Sequence, residues 1–94
     1  MENRLPEILV VDDKEKNLHA VKTILKILNT EIITAKSGNE ALKILRKKQF
    51  AVILLDVQMP KMNGFEVAEL IRSREATQNI PIIFITAISK EDQH

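Results

Sequence analysis

Residues 7–13 read EILVVDD and residues 51–56 read AVILLD, so two short apolar runs each end in aspartate. Such runs of Ile, Val and Leu are too short for buried helices and are typical of strands. Further runs at 31–35 and 81–86 have a similar character. Because most of these runs are apolar continuously rather than at alternate positions, they predict parallel strands covered on both faces. We therefore expect strands over 7–11, 31–35, 51–55 and 81–86.

Helical patterns alternate with these strands. Apolar residues recur at three- and four-residue spacing and predict helices over 15–28, 39–47 and 65–74. The second helix is preceded by residues 37–40, SGNE, which form a capping-box pattern. The order β-α-β-α-β-α-β predicts an α/β domain with right-handed crossovers, a parallel sheet and helices on both faces of that sheet.

Composition limits the classes of function. A chain of 94 residues and 10.7 kDa forms one domain at most. The 14 Lys and Arg residues nearly balance the 13 Asp and Glu residues, which argues against a dedicated surface for nucleic acid or an anionic membrane. The lack of cysteine excludes disulfide scaffolds and thiolate chemistry. No apolar run approaches the roughly 20 residues of a membrane span and no signal-peptide pattern is present, so a cytoplasmic location is expected.

The end of the sequence predicts an incomplete domain. Residues 89–92, SKED, are a helix-start signal with almost no sequence after it. Residues 82–85, IIFI, have the composition of an interior strand, yet no later strand pattern would cover their far edge. We therefore expect a polypeptide ending at His94 to self-associate through the fourth strand, or to be only marginally folded.

Three carboxylates follow the predicted strands. Asp12 and Asp13 come directly after the first strand, and Asp56 comes directly after the third. Ligands of parallel α/β sheets bind beyond the carboxyl ends of the strands, so these side chains should converge if the two strands are neighbours. Clustered carboxylates need a cation between them, and a set of oxygen ligands without cysteine suits Mg²⁺ or Mn²⁺. The alternative is that Asp12 and Asp13 simply cap the following helix.

Asp56 could also act as a nucleophile. A carboxylate at a strand end that faces a divalent cation is a plausible nucleophile toward phosphorus, because aspartate forms acyl-phosphate intermediates. Thr86 would place a hydroxyl at the same edge of the sheet, and the small Ala87 would leave room for a phosphoryl group. The loop over 59–64, MPKMNG, is a turn by composition, in which Asn63-Gly64 would tolerate positive φ.

These segments together resemble the receiver domain of bacterial two-component response regulators. The resemblance rests on residues 8–13 (ILVVDD), 54–60 (LLDVQMP), 62–64 (MNG) and 84–87 (FITA), taken in this order and spacing. It implies a flavodoxin-like, doubly wound parallel sheet in the order 2-1-3-4-5. Residues 1–94 would then hold a receiver domain in the order 2-1-3-4, with the fifth strand and the last two helices missing.

The resemblance also implies residue roles. Asp56 would be the phosphoacceptor, and the metal ligands would be Asp13 directly, Asp12 largely through water, Asp56, and the backbone carbonyl of Gln58. Thr86 and Ala87 would contact the phosphoryl group, beside a loop that contains Met59, Pro60 and Gly64. No lysine of this chain matches the lysine of the family, since Lys61 and Lys90 lie at other positions.

The implied activity is that of a signalling switch rather than an enzyme. It would take a phosphoryl group from a phosphohistidine of a sensor histidine kinase or a phosphotransfer protein, with Mg²⁺ or Mn²⁺ as cofactor. A receiver-like interaction module that is never phosphorylated remains an alternative. A phosphatase with an aspartyl nucleophile is disfavoured, because its general acid would stand at Gln58. A flavodoxin is disfavoured because Asp12 and Asp13 would repel a phosphate.

Overall fold

The computed structural model describes residues 5–86, which form a four-stranded sheet flanked by three helices. The strands are β1 (Glu7–Val11), β2 (Glu31–Ala35), β3 (Val52–Asp56) and β4 (Ile82–Ile85), and the helices are α1 (Glu15–Lys26), α2 (Gly38–Lys47) and α3 (Gly64–Arg72). All neighbouring strands are parallel, and their order is β2-β1-β3-β4. The predicted class and strand order are therefore confirmed. Ala87 and residues 89–92 lie outside the described residues.

The sheet separates two apolar layers, because successive side chains of a strand point to opposite faces. In β1, Leu9 and Val11 belong to the larger layer, which α2 and α3 cover with residues such as Leu42, Val67 and Ile71. Ile8 and Val10 belong to a smaller layer under α1, together with Leu18. Helices thus cover both faces, as predicted, and the central strands β1 and β3 are held in place from both sides.

Several boundaries differ from the predicted ones in a way that bears on the site. β3 continues through Asp56, so this residue ends the strand instead of following it. β4 ends at Ile85, and Thr86 is the first residue beyond it. Helix α1 ends at Lys26 rather than at residue 28, since the turn after it takes Asn29 to a φ of 58°. A left-handed residue cannot continue a right-handed helix.

Two helix starts are fixed by side chains. The Ser37 hydroxyl accepts a hydrogen bond from the Glu40 amide at 3.1 Å, as the capping-box pattern predicts, but the Glu40 carboxylate accepts from the amide of Lys36 and not of Ser37. A complete capping box occurs instead at α3, where Asn63 and Glu66 each accept a bond from the other's amide at 2.9 Å. This box was not predicted, and it fixes where the loop after β3 becomes a helix.

β4 forms one edge of the sheet that residues 5–86 build. Its Ile83 and Phe84 side chains are 53% and 41% exposed, although both are apolar. The Phe84 ring packs on that of Phe65, with centroids 4.9 Å apart. In this described stretch, no helix is both long and apolar enough to cross a membrane.

Candidate functional site

Asp12, Asp13 and Asp56 converge at the carboxyl end of the sheet. β1 and β3 are parallel neighbours, and Val11 of β1 is paired with Leu55 of β3. The residues that follow this pair, Asp12 and Asp56, therefore lie at the same edge of the sheet. One carboxylate oxygen of each of the three aspartates lies within 4.8 Å of the others. The convergence expected from the strand ends is therefore present in the structure.

Asp12 is the most firmly held of the three carboxylates. It is buried, with 2% of its surface exposed. Its Oδ1 accepts the backbone amide of Lys14 at 2.9 Å, and its Oδ2 accepts the side-chain amide of Asn17 at 3.1 Å. The N-cap residue of α1 is Lys14, and no side chain caps this helix, so the alternative that Asp12 and Asp13 simply cap it is wrong.

Asp56 is a buried carboxylate that has one amide donor among residues 5–86. It is 3% exposed, and its Oδ1 accepts the backbone amide of Gln58 at 3.3 Å. Burial raises the pKa of the Asp56 carboxyl above its ordinary value, and the charges of Asp12 and Asp13 add to this rise. The Gln58 amide and the Lys14 ammonium group act in the opposite direction. The charged form of Asp56 is thus less favoured than that of an ordinary carboxyl group.

Asp13 is the partly exposed member and faces an open cleft. Its Oδ1 lies 3.4 Å from the Lys14 ammonium, whose side chain is 57% exposed. The cleft has a volume of about 480 Å³, and Asp13, Lys14, Gln58, Met59, Pro60 and Phe65 are among its lining residues. An ion or a small phosphorylated group could therefore reach Asp13 from solvent.

The loop from β3 to α3 is shaped differently from the prediction. The positive φ, 71°, occurs at Lys61, whereas Asn63 has a φ of −77° and caps α3. Gly64 is required for another reason. Its amide donates to the carbonyl of Val57 at 2.9 Å, and a Cβ at this position would collide with the backbone of Asp56 and Val57. Only glycine lets α3 begin so close to the end of β3.

The remaining predicted residues lie at the same edge, as far as they are described. The Gln58 side chain is exposed while its backbone amide binds Asp56. Thr86 is exposed and follows Ile85, the residue that pairs with Asp56 across β3 and β4. The Ile85 carbonyl accepts the Val57 amide at 3.2 Å, which ties this strand end to the loop. Ala87 lies outside the described residues.

The donor set fits a hard divalent cation. Three carboxylates offer oxygen atoms close together, two of them buried, and mutual repulsion opposes full ionisation of the group. Oxygen-only sites with few protein ligands suit Mg²⁺, which keeps several of its waters. The residues that the sequence did not single out here are Lys14, the nearby cation, and Asn17, whose amide holds Asp12.

Comparison with known proteins identifies the family. The model of the response regulator receiver domain family matches residues 8–94. The chain belongs to this family. Receiver domains are phosphoacceptor switches of two-component systems and bind Mg²⁺ in an acidic pocket. The family thus agrees with the geometry of the three aspartates.

The relatives include both regulators and sensor proteins. "Probable transcriptional regulator ycf27" of Porphyra purpurea is 41% identical over 90 residues, which are 96% of this chain and 36% of that protein. "Sensor protein GacS" of Pseudomonas syringae pv. syringae is 37% identical over 93% of this chain and 10% of its own length. The chain therefore spans only a minor part of these curated relatives.

Solved receiver structures share the fold. The N-terminal domain of a response regulator receiver protein from Methanoculleus marisnigri has a TM-score of 0.85 and 37% identity, with 94% of this chain and 73% of that chain covered. The response regulator protein TrrA from Thermotoga maritima, crystallised in complex with Mg²⁺ and BeF, has a TM-score of 0.83 and 36% identity. That comparison covers 95% of this chain and 76% of TrrA.

Proposed function

We propose that Asp56 accepts a phosphoryl group and that this reaction is the signalling event of the chain. The observation that carries the proposal is the position of Asp56 at the carboxyl end of central strand β3, with its carboxylate among those of Asp12 and Asp13. The receiver family supplies the reaction class, and the open cleft beside Asp13 and Gln58 supports access for a donor.

In the transfer, a carboxylate oxygen of Asp56 attacks the phosphorus of a phosphohistidine. A P–O bond forms, the P–N bond breaks, and the electron pair returns to the imidazole nitrogen. Asp56 must be ionised to attack, and its raised pKa opposes this. A bound Mg²⁺ would offset the repulsion among the carboxylates and neutralise charge on the phosphoryl oxygens.

The metal would be held by Asp12, Asp13, Asp56 and the backbone carbonyl of Gln58. Asp13, the accessible carboxylate, is suited to bind the ion directly, whereas both oxygens of Asp12 already accept hydrogen bonds and suit contact through water. Mn²⁺ prefers the same oxygen ligands and would substitute for Mg²⁺.

Further residues would contact the phosphoryl group or shape the loop beside it. Thr86, exposed just beyond β4, would donate its hydroxyl to a phosphoryl oxygen, and Ala87 would leave space for the group. Met59, Pro60 and Gly64 shape the loop beside Asp56. Lys61 is at a different position from the lysine of the family, and we assign no catalytic lysine in this chain.

Receiver domains interact with histidine kinases or phosphotransfer proteins, and they are signalling domains rather than conventional enzymes. We propose a sensor histidine kinase or a histidine phosphotransfer protein as the donor, in the cytoplasm, and no nucleic-acid or membrane contact for this segment. We assign no output activity to this segment, which spans 36% of the ycf27 relative and 10% of the GacS relative.

Intact-mass measurement tests the assignment of Asp56. The chain is incubated with Mg²⁺ and a small-molecule phosphodonor, and we expect one added phosphoryl group that is absent in Asp56→Asn. Glu31→Gln serves as a control that removes an exposed carboxylate at the amino end of β2, opposite the site, and should label normally. Undiminished labelling of Asp56→Asn would disprove the assignment. Labelling of neither parent nor control, with Mg²⁺ bound, would favour the module that is never phosphorylated.

A second proposal is self-association of the 94-residue polypeptide through β4. The exposed Ile83 and Phe84 on an edge strand support it, because an apolar edge is a template for pairing with another chain. Sedimentation should show oligomers that Ile83→Lys disperses, since a charge on an edge strand opposes pairing. A parent chain that sediments as a monomer at high concentration and unfolds cooperatively would rule out this proposal.

A further inference from the structure

Asn17 makes a specific contact with the acidic site. It is the third residue of α1, and its partly buried side chain donates from Nδ2 to Oδ2 of Asp12 at 3.1 Å. The backbone amide of Lys14 donates to the other oxygen, Oδ1, at 2.9 Å. A carboxylate held by one donor can still rotate about its Cβ–Cγ bond, but donors on both oxygens fix its plane. Asp12 is therefore oriented by two groups at the start of α1.

We propose that Asn17 is a positioning residue for the metal site, and that its amide fixes the Asp12 carboxylate in the orientation that brings one oxygen within 4.8 Å of those of Asp13 and Asp56. Groups that hydrogen-bond to metal ligands orient them and commonly change metal affinity by roughly 10–100-fold. This inference rests on the proposed function to the extent that the ion is the one used in phosphoryl transfer.

The chemistry of the side chain explains why an amide suits this position. A carboxylate at residue 17 would add a fourth negative charge to three that already repel one another, whereas an ammonium group would compete with the metal for Asp12. A carboxamide donates a hydrogen bond without adding charge. Among residues 5–86, the other donors to the three aspartates are backbone amides and the exposed Lys14 ammonium, so Asn17 is the neutral side chain in this set.

Mg²⁺ titration of the full 94-residue chain, followed by amide chemical shifts, tests the role of Asn17. We expect Asn17→Ala to raise the Kd for Mg²⁺ about tenfold or more. The control is Asn39→Ala, which removes an exposed asparagine from the corresponding first turn of α2 and should leave the Kd within about twofold. Asn17→Gln keeps the amide on a longer side chain and should recover part of the affinity.

Thermal unfolding distinguishes positioning from a merely structural role. A ligand that binds the folded state raises the unfolding midpoint, and at a fixed concentration this rise grows with the logarithm of its affinity. We expect Asn17→Ala to reduce the rise in midpoint between EDTA and Mg²⁺, while Asn39→Ala keeps that rise. An Asn17→Ala variant that loses the same number of degrees in both buffers, with an unchanged Kd, would show a structural role and overturn the inference.

The outcomes separate this inference from the proposed function. A parent chain that binds Mg²⁺ but is not labelled at Asp56 contradicts the proposed function, and the Asn17→Ala titration then still decides the inference. A parent chain that binds no Mg²⁺ at millimolar concentration overturns the inference outright. Equal affinities of the Asn17→Ala and Asn39→Ala variants would do the same.

Discussion

Gly64→Ala should destabilise the domain and also displace Asp56, the proposed phosphoacceptor at the end of β3. The added Cβ would lie 2.9 Å from the Cα of Val57 and closer still to the carbonyl of Asp56, and these are backbone atoms that cannot rotate away. Relief requires α3 to move away from the end of β3, which weakens the 2.9 Å bond from the Gly64 amide to the Val57 carbonyl. The same movement would displace the backbone that carries the Asp56 carboxylate.

The magnitude follows from three contributions. Overpacking of a closed space costs about 1–3 kcal/mol. Loss of the hydrogen bond adds about 0.5–1.5 kcal/mol. The lower conformational entropy of alanine in the unfolded chain returns roughly 0.5–1 kcal/mol. A net loss of about 2–3 kcal/mol corresponds to a fall in melting temperature of roughly 10–20 °C for a domain of this size.

Gly38→Ala provides a matched control, because Gly38 is the first residue of α2 as Gly64 is of α3. Its Cβ would meet side-chain atoms, Cγ2 of Val67 at 2.5 Å and Sδ of Met62 at 3.2 Å, and the buried, β-branched Val67 can move only a little. We expect a loss of about 1–2 kcal/mol, which is less than for Gly64→Ala because no backbone hydrogen bond is lost. Denaturant unfolding in EDTA, followed by circular dichroism, measures both variants. A Gly64→Ala protein as stable as Gly38→Ala would refute the argument from backbone contact.

Three further predictions concern the charges of the site. Folding raises the pKa of Asp56, so without metal the folded protein binds more protons than the unfolded chain. The free energy of unfolding therefore falls as the pH rises from the ordinary carboxyl pKa through the raised value. At pH 7 in EDTA, Asp56→Asn should therefore unfold at a higher denaturant concentration than the parent. If this difference in midpoint concentration is undiminished below pH 3, the ionisation of Asp56 is not its cause. Asp13→Ala should weaken Mg²⁺ binding more than Asp12→Ala in a calorimetric titration, and equal affinities would exclude direct binding by Asp13. Lys14→Met should raise the affinity for Mg²⁺ about two- to fivefold at low salt, because the exposed ion pair of Lys14 with Asp13, at 3.4 Å, competes weakly with the metal. An unchanged affinity would show that Lys14 does not compete.

Much of the fold could be predicted because its pattern is local. The strands over 7–11 and 31–35 have the predicted bounds, and the strand order and helix placement agree with the sequence. Boundaries that depend on backbone geometry could not be predicted in this way. The left-handed turn at Asn29 shortens α1, and the positive φ falls on Lys61, a residue type that gives no signal for it.

The sequence predicts the three carboxylates of the site but not the side chains that hold them. Asp12, Asp13 and Asp56 could be placed together because parallel strands end at one edge of the sheet. The Asn17 contact depends on how the first turn of α1 folds back over the end of β1, which spacing alone does not encode. The capping box of Asn63 and Glu66 has a signal in the sequence, since Asn and Glu stand three residues apart before an apolar stripe, but the overlapping Asn-Gly pair is equally typical of a turn.

The three carboxylates of the site are held in an arrangement that their own charges oppose. Asp12 and Asp56 are buried beside each other, and the pKa of Asp56 is raised by that burial and by the neighbouring carboxylates. The sheet imposes this proximity, because Val11 and Leu55 are paired in the core and fix the strand ends. A cation that enters the cleft therefore relieves repulsion that the fold has already created. Binding of the ion and ionisation of Asp56 should accordingly favour each other, so that Asp56, the proposed nucleophile, becomes charged when the ion that would stabilise its phosphorylation is bound.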